Sequence, residues 1–458
     1  MFTPDDTIVA VATPRGRGGL GVVRLSGPRA ATIAEGLLDR SEPLRPRHAT
    51  LAKILDHGAA VPIAVDQVVA TAFPHPGSYT GDDVVEISAH GSPVLLDRIV
   101  ALALAAGARL AEPGEFTFRA YLNGRLDLVQ AEAVADLIEA VTPLQARVAF
   151  DQLEGTITTQ IKELESQLFD LIARLEASLD FPEEGYHFVE AGEVGHAVAA
   201  IRRQVESFLE GAACGRLIRE GCQVVILGKP NVGKSSLFNR LLGVERAIVT
   251  SMPGTTRDLV TDVTDLDGLA VTLVDSAGIR AGSEDAVEVE GVSRARQALG
   301  VAAAAIVVVD RSRALEQEDW AVLEETAPRR RLVAVNKVDE PASWAGESLL
   351  LDGEAAVVEV SARTGAGLDR LRSALRDVLT GGESLRDTPA VANRRHIGLM
   401  ERVGEALGEA GDAVASGATE EFVLADLQRA CAALDELSGK RTPDDVLRHI
   451  FERFCIGK

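Results

Sequence analysis

Cysteine is scarce in this sequence, which has four cysteines among 458 residues. They are Cys214, Cys222, Cys431 and Cys455. None of them forms the closely spaced pair that is typical of a zinc site, and four cysteines in a chain of this length are too few for a disulfide framework. We therefore expect free thiols, which suit a protein of the reducing cytoplasm.

Long apolar runs are also missing. Hydrophobic residues make up 46% of the chain, but no uninterrupted run reaches the roughly 20 residues that a bilayer-spanning helix needs. The sequence does not open with the basic and then apolar pattern of a secretion signal. We therefore expect a cytoplasmic protein, neither membrane-spanning nor secreted. Because one hydrophobic core cannot serve a chain of this length, we also expect about three domains.

Positive charge is in deficit. The chain has 47 lysines and arginines against 69 aspartates and glutamates, a net charge of −22. A protein that holds RNA mainly through its phosphates needs a basic surface, because phosphate contacts dominate non-specific affinity. We therefore expect any bound RNA to be held largely by a partner subunit or by a local basic patch.

What the sequence does contain is a phosphate-binding loop. Residues Gly228 to Ser235 fit the pattern GxxxxGK[ST] and follow the apolar run 224–227. A strand, a glycine-rich turn and a helix N-terminus together present backbone N–H groups to an anion. Lys234 is then expected to contact the β and γ phosphates, and Ser235 to bind Mg²⁺.

A second motif indicates which nucleotide binds. Asn336 to Asp339 read NKVD and follow another apolar run, 332–335. The carboxylate of Asp339 can accept both the ring N–H and the exocyclic amine of guanine, whereas adenine offers no such pair of donors. A site built to pair polar groups rejects an analogue that leaves them unpaired. We therefore expect the chain to prefer GTP to ATP.

Three further segments complete the serial order of a small GTPase. They are Gly254 to Asp258, Asp275 to Gly278 and Ser361 to Arg363. Thr256 is expected to complete the Mg²⁺ shell, and Asp275 to hold the metal through water. Gly278 can donate its N–H to the γ-phosphate.

The residue that positions the attacking water is not fixed by these motifs. Ras-like enzymes place a Gln after the Asp-x-Ala-Gly sequence, but this chain has Ile279. The following segment is rich in acids, any of which could hold a water. They are Glu284, Asp285, Glu288 and Glu290.

The periodicity of apolar residues predicts a multidomain α/β and all-α protein. From Ile8 to about residue 119, short strands and the helix 93–106 suggest a compact α/β module. Apolar residues three and four apart then predict long helices on both sides of the GTPase motifs. We predict an N-terminal α/β module at 1–119, a discontinuous helical domain at 120–217 and 382–458, and an inserted Ras-like P-loop G domain at 218–381.

Several motifs together give a specific resemblance. They include Ser78 to Asp83, Pro113 to Thr117, Asp127 to Ala133, Gly254 to Asp258 and the terminal Phe454 to Lys458. With these motifs, the chain resembles the MnmE (TrmE) family of bacterial tRNA-modification GTPases from Asp6 to its last residue. The resemblance implies a potassium-stimulated GTPase that modifies carbon 5 of the wobble uridine of certain tRNAs.

For the G domain, the resemblance implies a K⁺ site and a catalytic acid. Asn231, Thr250, Met252 and Thr255 match the K⁺ cage, where the cation would offset negative charge on the transferring phosphoryl group. Glu288 matches the acid that activates water, with Glu290 as a rival because of an apparent one-residue insertion. The full set expected to contact GTP is Asn231, Val232, Gly233, Lys234, Ser235, Ser236, Thr250, Ser251, Met252, Pro253, Gly254, Thr255, Thr256, Asp275, Ser276, Ala277, Gly278, Asn336, Lys337, Asp339, Ser361, Ala362 and Arg363.

For the N-terminal module, the resemblance implies a folate site at a dimer interface. Arg24, Glu86, Arg125 and Lys458 match positions that bind 5-formyl- or methylene-tetrahydrofolate. Arg125 stands where the family usually has lysine, which keeps the charge but changes the geometry of the donors. Cys455, near the carboxyl terminus, is a candidate nucleophile, although a small residue in a docked tail is an equal alternative.

The resemblance also implies partners. They are a second copy of the chain, the FAD-dependent protein MnmG (GidA) in a hetero-oligomeric complex, and tRNA. The alternative function is a ribosome-assembly or signalling GTPase without covalent RNA chemistry. Such a protein would be expected to carry a basic RNA-binding module after the G domain, but the chain is acidic and helical there.

Overall fold

The computed structural model divides into two compact units, each built from separate stretches of the chain. It describes residues 6–58, 60–180, 191–244, 260–275, 297–344, 356–383, 385 and 391–458. One unit contains residues 1–135, 152–201 and 405–458, and the other contains residues 136–151 and 202–404. The described helices are Ala30–Leu37, Pro93–Ala105, Glu115–Leu122, Leu128–Glu139, Pro143–Leu153, Thr156–Asp180, Ala191–Leu209, Ala212–Glu220, Lys234–Val244, Gln317–Thr326, Leu368–Thr380, Arg394–Ala415, Glu420–Ser438 and Asp444–Phe451.

The first unit contains a six-stranded sheet. Its strands are β1 (Ile8–Val11), β2 (Leu20–Ser26), β3 (Thr50–Asp56), β4 (Ile63–Phe73), β5 (Val84–His90) and β6 (Arg109–Leu110), in the order β3-β4-β5-β2-β1-β6. In β2, β3 and β5, buried residues alternate with more exposed ones along most of each strand, as in a sheet with one covered face. Two helices contribute to this core, Pro93–Ala105 as predicted and Ala30–Leu37 in addition. The second is only two turns long, so its buried residues, Ala30, Ile33, Ala34 and Leu37, make a weak periodic signal.

A network of four charged side chains ties Asp6, which precedes β1, and Arg109 on β6 to the helix Glu115–Leu122. Asp6 accepts hydrogen bonds from Arg109 Nε at 2.7 Å and from Arg119 Nη2 at 2.5 Å. Glu115, whose side chain is fully buried, lies 2.6 Å from Arg109 Nη2 and 3.1 Å from Arg119 Nη2. Two carboxylates and two guanidiniums thus balance each other, and the pairing satisfies the buried charges of Glu115 and Arg119, while Asp6 and Arg109 stay partly exposed.

The long helices of the first unit bury the residues that periodicity selects. In Thr156–Asp180, the apolar residues three and four apart are buried, which confirms the predicted amphipathic helix. This helix packs against Glu420–Ser438. The last helix, Asp444–Phe451, buries Phe451 against Phe118, with the ring centroids 5.0 Å apart in an edge-to-face arrangement. Aromatic pairs favour that geometry.

The second unit contains the other six-stranded sheet. Its strands are β7 (Cys222–Leu227), β8 (Val260–Leu266), β9 (Leu269–Asp275), β10 (Ala304–Asp310), β11 (Arg331–Asn336) and β12 (Ala356–Glu359), in the order β12-β11-β10-β7-β9-β8. All neighbours pair in parallel except β8 and β9, which form an antiparallel hairpin. The central strands β10 and β11 are buried at every residue, as parallel strands covered on both faces should be.

Residues 136–151 belong to this unit and hold the β8–β9 turn. Thr142 Oγ1 donates to the Gly268 carbonyl at 2.8 Å, and Gln145 Nε2 donates to the Arg219 carbonyl at 3.1 Å. Gly268 has φ +100°, and a Cβ there would stand 2.8 Å from Leu144 Cδ2. The turn therefore requires glycine.

Within the described ranges, no helix combines the length and apolar character that crossing a bilayer requires.

Candidate functional site

The glycine-rich loop leaves β7 as the sequence predicts. Gly228 has φ +146° and Gly233 has φ +97°, conformations that L side chains rarely adopt. A Cβ at Gly228 would stand 2.4 Å from the Val308 carbonyl oxygen, and one at Gly233 would stand 2.3 Å from Asn336 Nδ2. The helix then begins at Lys234. Ser235 and Ser236 lie exposed in its first turn.

The P-loop lysine is buried and bonded to its own loop. Lys234 is 7% exposed, and its Nζ donates to the carbonyls of Gly228 at 2.8 Å and Lys229 at 2.9 Å. Burial lowers the pKa of this ammonium below its usual value, and the negative charge of Asp275 opposes the shift. Asp275 is the buried last residue of β9. The loop therefore holds a cation and a carboxylate at the carboxyl ends of neighbouring strands, the edge at which open α/β sheets bind ligands.

Asn336 joins three of the predicted motifs. Its Nδ2 donates to the Val232 carbonyl in the P-loop at 2.8 Å, and its Oδ1 accepts the Ala362 N–H at 3.0 Å. The residue is 2% exposed. Both hydrogen bonds are shielded from water. A buried polar group that lacked such a bond would cost free energy, so these bonds fix the loops firmly. Segments more than 100 positions apart in sequence are thus fixed to one another at this asparagine.

The predicted guanine-reading carboxylate is held by the Ser361 loop. Asp339 lies 2.5 Å from Ser361 Oγ and 2.6 Å from Arg363 Nη2. The Ser361 hydrogen bond is the main reason why the pKa of Asp339 lies below its usual value, and Arg363 adds to the effect. Asp339 is therefore ionised at neutral pH and can only accept hydrogen bonds, as recognition of the guanine donors requires.

Three ion pairs made by two lysines at this edge were missed by the sequence analysis. Lys337 Nζ lies 2.5 Å from Asp310 Oδ2 at the end of β10. Lys229 Nζ lies 2.7 Å from Asp319 Oδ2 and 3.0 Å from Glu316 Oε2. The only available signal was that an aspartate ends the apolar run of β10, as another ends β9. Sequence alone does not tell which lysine such a carboxylate meets.

Part of the predicted nucleotide set lies outside the described residues. This holds for Thr250, Ser251, Met252, Pro253, Gly254, Thr255, Thr256, Ser276, Ala277, Gly278, Glu288 and the rival acids Glu284, Asp285 and Glu290. Among the residues that are described, no group of three or more His, Cys, Asp or Glu side chains is arranged to hold a metal. Ser235 and Asp275 supply oxygen atoms of the kind that Mg²⁺ prefers.

A second group of predicted residues meets on the N-terminal sheet. Arg24 on β2 stands directly opposite Glu86 on β5. The Arg24 guanidinium lies 2.8 Å from Glu86 Oε1 and donates to the Gly457 carbonyl at 3.3 Å. Lys458 therefore lies beside this pair, and its ammonium stands 5.8 Å from the ring centre of Tyr79.

Tyr79 is a further residue of this site that the sequence analysis did not select. The Arg24 guanidinium lies 5.2 Å from its ring centre, within the range of a cation–π contact. The Tyr79 hydroxyl lies 2.8 Å from Thr117 Oγ1. Burial, followed by the charge of Arg24, lowers the pKa of Lys458, and Glu86 opposes the shift. Two cations thus share one carboxylate and one aromatic ring.

Arg125 and Cys455 stand apart from these contacts. Arg125 is exposed beside Gly81, and its side chain forms no hydrogen bond or ion pair with any residue that the structure describes. Cys455 carries an exposed free thiol. Its backbone carbonyl accepts the Gly114 N–H at 3.5 Å. The histidine nearest to Cys455 in the sequence is His449, the first residue to consider as a base for the thiol. Its Nε2 lies 2.9 Å from Arg453 Nη2, so this imidazole is engaged by an arginine.

Comparison with known proteins covers the whole chain. A family model described as the MnmE helical domain matches residues 128–455, and one described as the GTP-binding protein TrmE N-terminus matches residues 7–125. Proteins named "tRNA modification GTPase MnmE" are similar over their full length. The one from Koribacter versatilis (strain Ellin345) is 44% identical, covering 99% of both chains. The one from Chloroflexus aurantiacus is 42% identical, covering 99% of this chain and 100% of that protein.

Proposed function

The chain belongs to the MnmE family of tRNA modification GTPases, and we propose that its GTP hydrolysis is coupled to modification of carbon 5 of the wobble uridine in certain tRNAs. The group added is aminomethyl or carboxymethylaminomethyl. An FAD-dependent partner of the MnmG (GidA) kind takes part in the reaction. A net charge of −22 supports a division of labour in which that partner holds most of the tRNA.

The observation that carries the GTPase assignment is the position of Asn336. It hydrogen-bonds both the P-loop at Val232 and the loop at Ala362. This arrangement brings the phosphate-binding turn and the ionised Asp339 to the same edge of the sheet. The phosphates of a guanine nucleotide suit the phosphate-binding turn, and its two N–H donors suit the carboxylate of Asp339. Adenine lacks those donors.

We infer that the chain's own residues divide the work of hydrolysis. Lys234 contacts the β and γ phosphates, and Ser235 and Thr256 hold Mg²⁺, with Asp275 acting through water. Asn231, exposed and at φ +65°, holds K⁺ together with Thr250, Met252 and Thr255, and the cation supplies positive charge near the transferred phosphoryl group. Glu288 activates the attacking water.

Arg24, Glu86 and Lys458 fit an anionic cofactor. Two cations beside one carboxylate leave a positive charge at a half-buried site, and a folate carries carboxylates that would complement it. We propose that these residues, with Arg125, bind 5-formyl- or methylene-tetrahydrofolate. Cys455 is two residues from Gly457, whose carbonyl Arg24 contacts, and we propose it as a nucleophile. In that case Cys455→Ser abolishes tRNA modification and spares GTP hydrolysis.

We also propose the domain arrangement expected from the sequence. The G domain at 218–381 is inserted in a helical domain formed by 120–217 and 382–458, after a folate-binding and dimerising module at 1–119. In support, β7 to β12 fall between the helices Ala212–Glu220 and Arg394–Ala415 in the chain. A homodimer would place two G domains in one assembly.

Nucleoside mass spectrometry tests the proposed activity. We expect tRNA from cells lacking this chain to lose the modified wobble uridine, and expression of the unaltered chain to restore it. A chain with Lys234→Ala, which removes the phosphate contact, should not restore it. Unaltered wobble uridines in the deficient cells would show that the chain has another function.

The K⁺ site has its own test. GTP turnover by the unaltered chain should be markedly faster in potassium than in sodium at equal ionic strength, because the larger ion fits the cage around Asn231. Asn231→Ala should remove the difference. Equal rates in both salts would rule out the cage and leave the GTPase assignment intact.

A further inference from the structure

A buried carboxylate stands beside the Asn336 motif. Asp310 is the last residue of β10 and pairs in register with Asn336, the last residue of β11. Its side chain is 3% exposed, and its Oδ2 lies 2.5 Å from Lys337 Nζ. Its Oδ1 accepts the Ser312 N–H at 2.9 Å and the Ser312 hydroxyl at 2.6 Å. Both oxygens of Asp310 are therefore occupied, and Lys337 is their cationic partner.

Both the backbone and the ammonium group of Lys337 are held in place. Its backbone has φ +65°, an unusual conformation for a lysine, and follows Asn336, whose carbonyl accepts the Arg311 N–H at 3.0 Å. Its ammonium is anchored on the neighbouring strand. Because adjacent strands lie about 4.8 Å apart, the methylene stem must cross from the end of β11 to the end of β10. An otherwise flexible side chain is thus held in one path across this edge of the sheet, two residues before Asp339 in the chain.

We propose that Asp310 is a positioning residue for guanine recognition, which holds Lys337 so that its methylene stem covers the face of the purine whose edge Asp339 reads. This role rests on the proposed binding of GTP. A purine ring offers a flat apolar face in addition to its polar edge. A stem ordered before the nucleotide arrives does not lose its freedom on binding, which is how preorganisation increases affinity.

A purely structural role for Asp310 predicts something different. Loss of the ion pair would then lower the stability of the fold and leave nucleotide affinity unchanged. The two roles separate if affinity, stability and dependence on Lys337 are measured on the same variants.

A double-mutant cycle tests the dependence on Lys337. We expect Asp310→Asn and Lys337→Met each to raise the dissociation constant for GDP about ten-fold, the equivalent of one charge-assisted contact. The double variant should bind no more weakly than Lys337→Met alone, since Asp310 acts only through that lysine. Additive losses, or wild-type affinity in Asp310→Asn, would overturn the proposal.

Inosine diphosphate separates the face of the base from its edge. It keeps the purine ring of GDP but lacks the exocyclic amine. Asp310→Asn should weaken binding of GDP and of inosine diphosphate by the same factor, because stacking does not need that amine. Asp339→Asn should weaken GDP binding more than inosine diphosphate binding. If Asp310→Asn instead changed the ratio of the two affinities, Asp310 would act on the edge and the proposal would be wrong.

Asp136→Asn is the matched control. Asp136 is a largely buried aspartate of the same unit, paired with Arg219 at 2.6 Å, and its loss should leave GDP affinity unchanged.

Circular dichroism checks that each variant folds. If Asp310→Asn does not fold, Lys337→Met decides alone, and wild-type affinity there overturns the role. Failure of the unaltered chain to bind GDP would refute the proposed function itself. If the unaltered chain binds GDP and Asp310→Asn binds it equally well, only the role proposed for Asp310 is refuted.

Discussion

In the first unit, a network of charged side chains helps to hold the fold together. Asp6 begins the stretch that resembles the family and Glu115 lies in the motif Pro113 to Thr117, and the structure joins both in one network with Arg109 and Arg119. The carboxylates of Asp6 and Glu115 each face both arginines, so these side chains have a structural role in the fold.

The Asp6 carboxylate makes this network sensitive to acid. Burial would raise the pKa of Asp6, but hydrogen bonds from Arg109 and then Arg119 outweigh it and hold the pKa below its usual value of 3.8. A carboxyl with a depressed pKa in the folded state contributes stability above its unfolded pKa. That contribution is lost as the pH falls through the folded value.

We therefore expect Asp6→Asn to lower the free energy of unfolding by about 1–3 kcal/mol at pH 7, the range for a hydrogen bond to a charged group. The difference from the unaltered chain should shrink below about pH 4, as the native carboxyl is also protonated there. Urea unfolding at pH 7 and pH 3 measures both effects. The exposed Glu42, 3.8 Å from Arg40, provides the control Glu42→Gln, which should change little. A difference that grows in acid would contradict this assignment.

At the scale of elements, the loop between β12 and the helix Leu368–Thr380 shows how closely a binding loop is packed. Ser361 holds Asp339 and also accepts the Thr364 N–H through its hydroxyl at 3.0 Å. Gly365 and Gly367 follow, with φ +90° and +76°. The two glycines share an unusual backbone conformation but differ in surroundings, since a Cβ at Gly367 would stand 2.0 Å from the Glu359 carbonyl oxygen. A Cβ at Gly365 would meet nothing closer than 3.8 Å.

This pair of glycines gives a matched prediction. Gly365→Ala should cost about 1–2 kcal/mol, the penalty of a left-handed conformation for an alanine. Gly367→Ala should cost more, because the loop must also move away from β12, and it should weaken GDP binding through Asp339. Thermal unfolding and GDP titration of both variants measure this. Equal losses in the two variants would mean that the contact with Glu359 is unimportant.

At the scale of the whole molecule, the carboxyl-terminal segment completes the unit that the amino terminus begins. Phe451 is fully buried among Phe118, Tyr121 and Phe454. Ile456 forms a β-bridge with Pro113. The same segment carries Lys458 to Arg24. The N-terminal candidate site is therefore built from residues more than 400 positions apart in the sequence.

We expect Phe451→Ala to destabilise this unit by about 3–5 kcal/mol, the usual cost of removing a buried phenylalanine ring. Phe422 belongs to the same unit but is 65% exposed, and Phe422→Ala should change the stability by no more than about 0.5 kcal/mol. Urea unfolding of the two variants gives the comparison. GDP affinity should be unaffected in both, since the P-loop lies in the other unit. Similar unfolding midpoints for the two variants would contradict the packing role of Phe451.

The sequence by itself determined the local features of this protein. The pattern from Gly228 to Ser235 predicts the strand, turn and helix that the structure has, because glycine conformations and apolar runs act over a few residues. The period of three and four predicts the helix Thr156–Asp180 for the same reason. The serial order of the GTPase motifs is likewise a property of the sequence, and it indicates the family.

Only the tertiary structure decided which distant groups meet. That Asn336 bridges Val232 and Ala362, that Asp310 takes Lys337 as its partner, and that Tyr79 lies under two cations all depend on strand order and register. No local pattern encodes these contacts, since each joins segments brought together by burial of a common core. The physical reason is that backbone preference acts between neighbours in the chain, whereas ion pairs and hydrogen bonds act between neighbours in space.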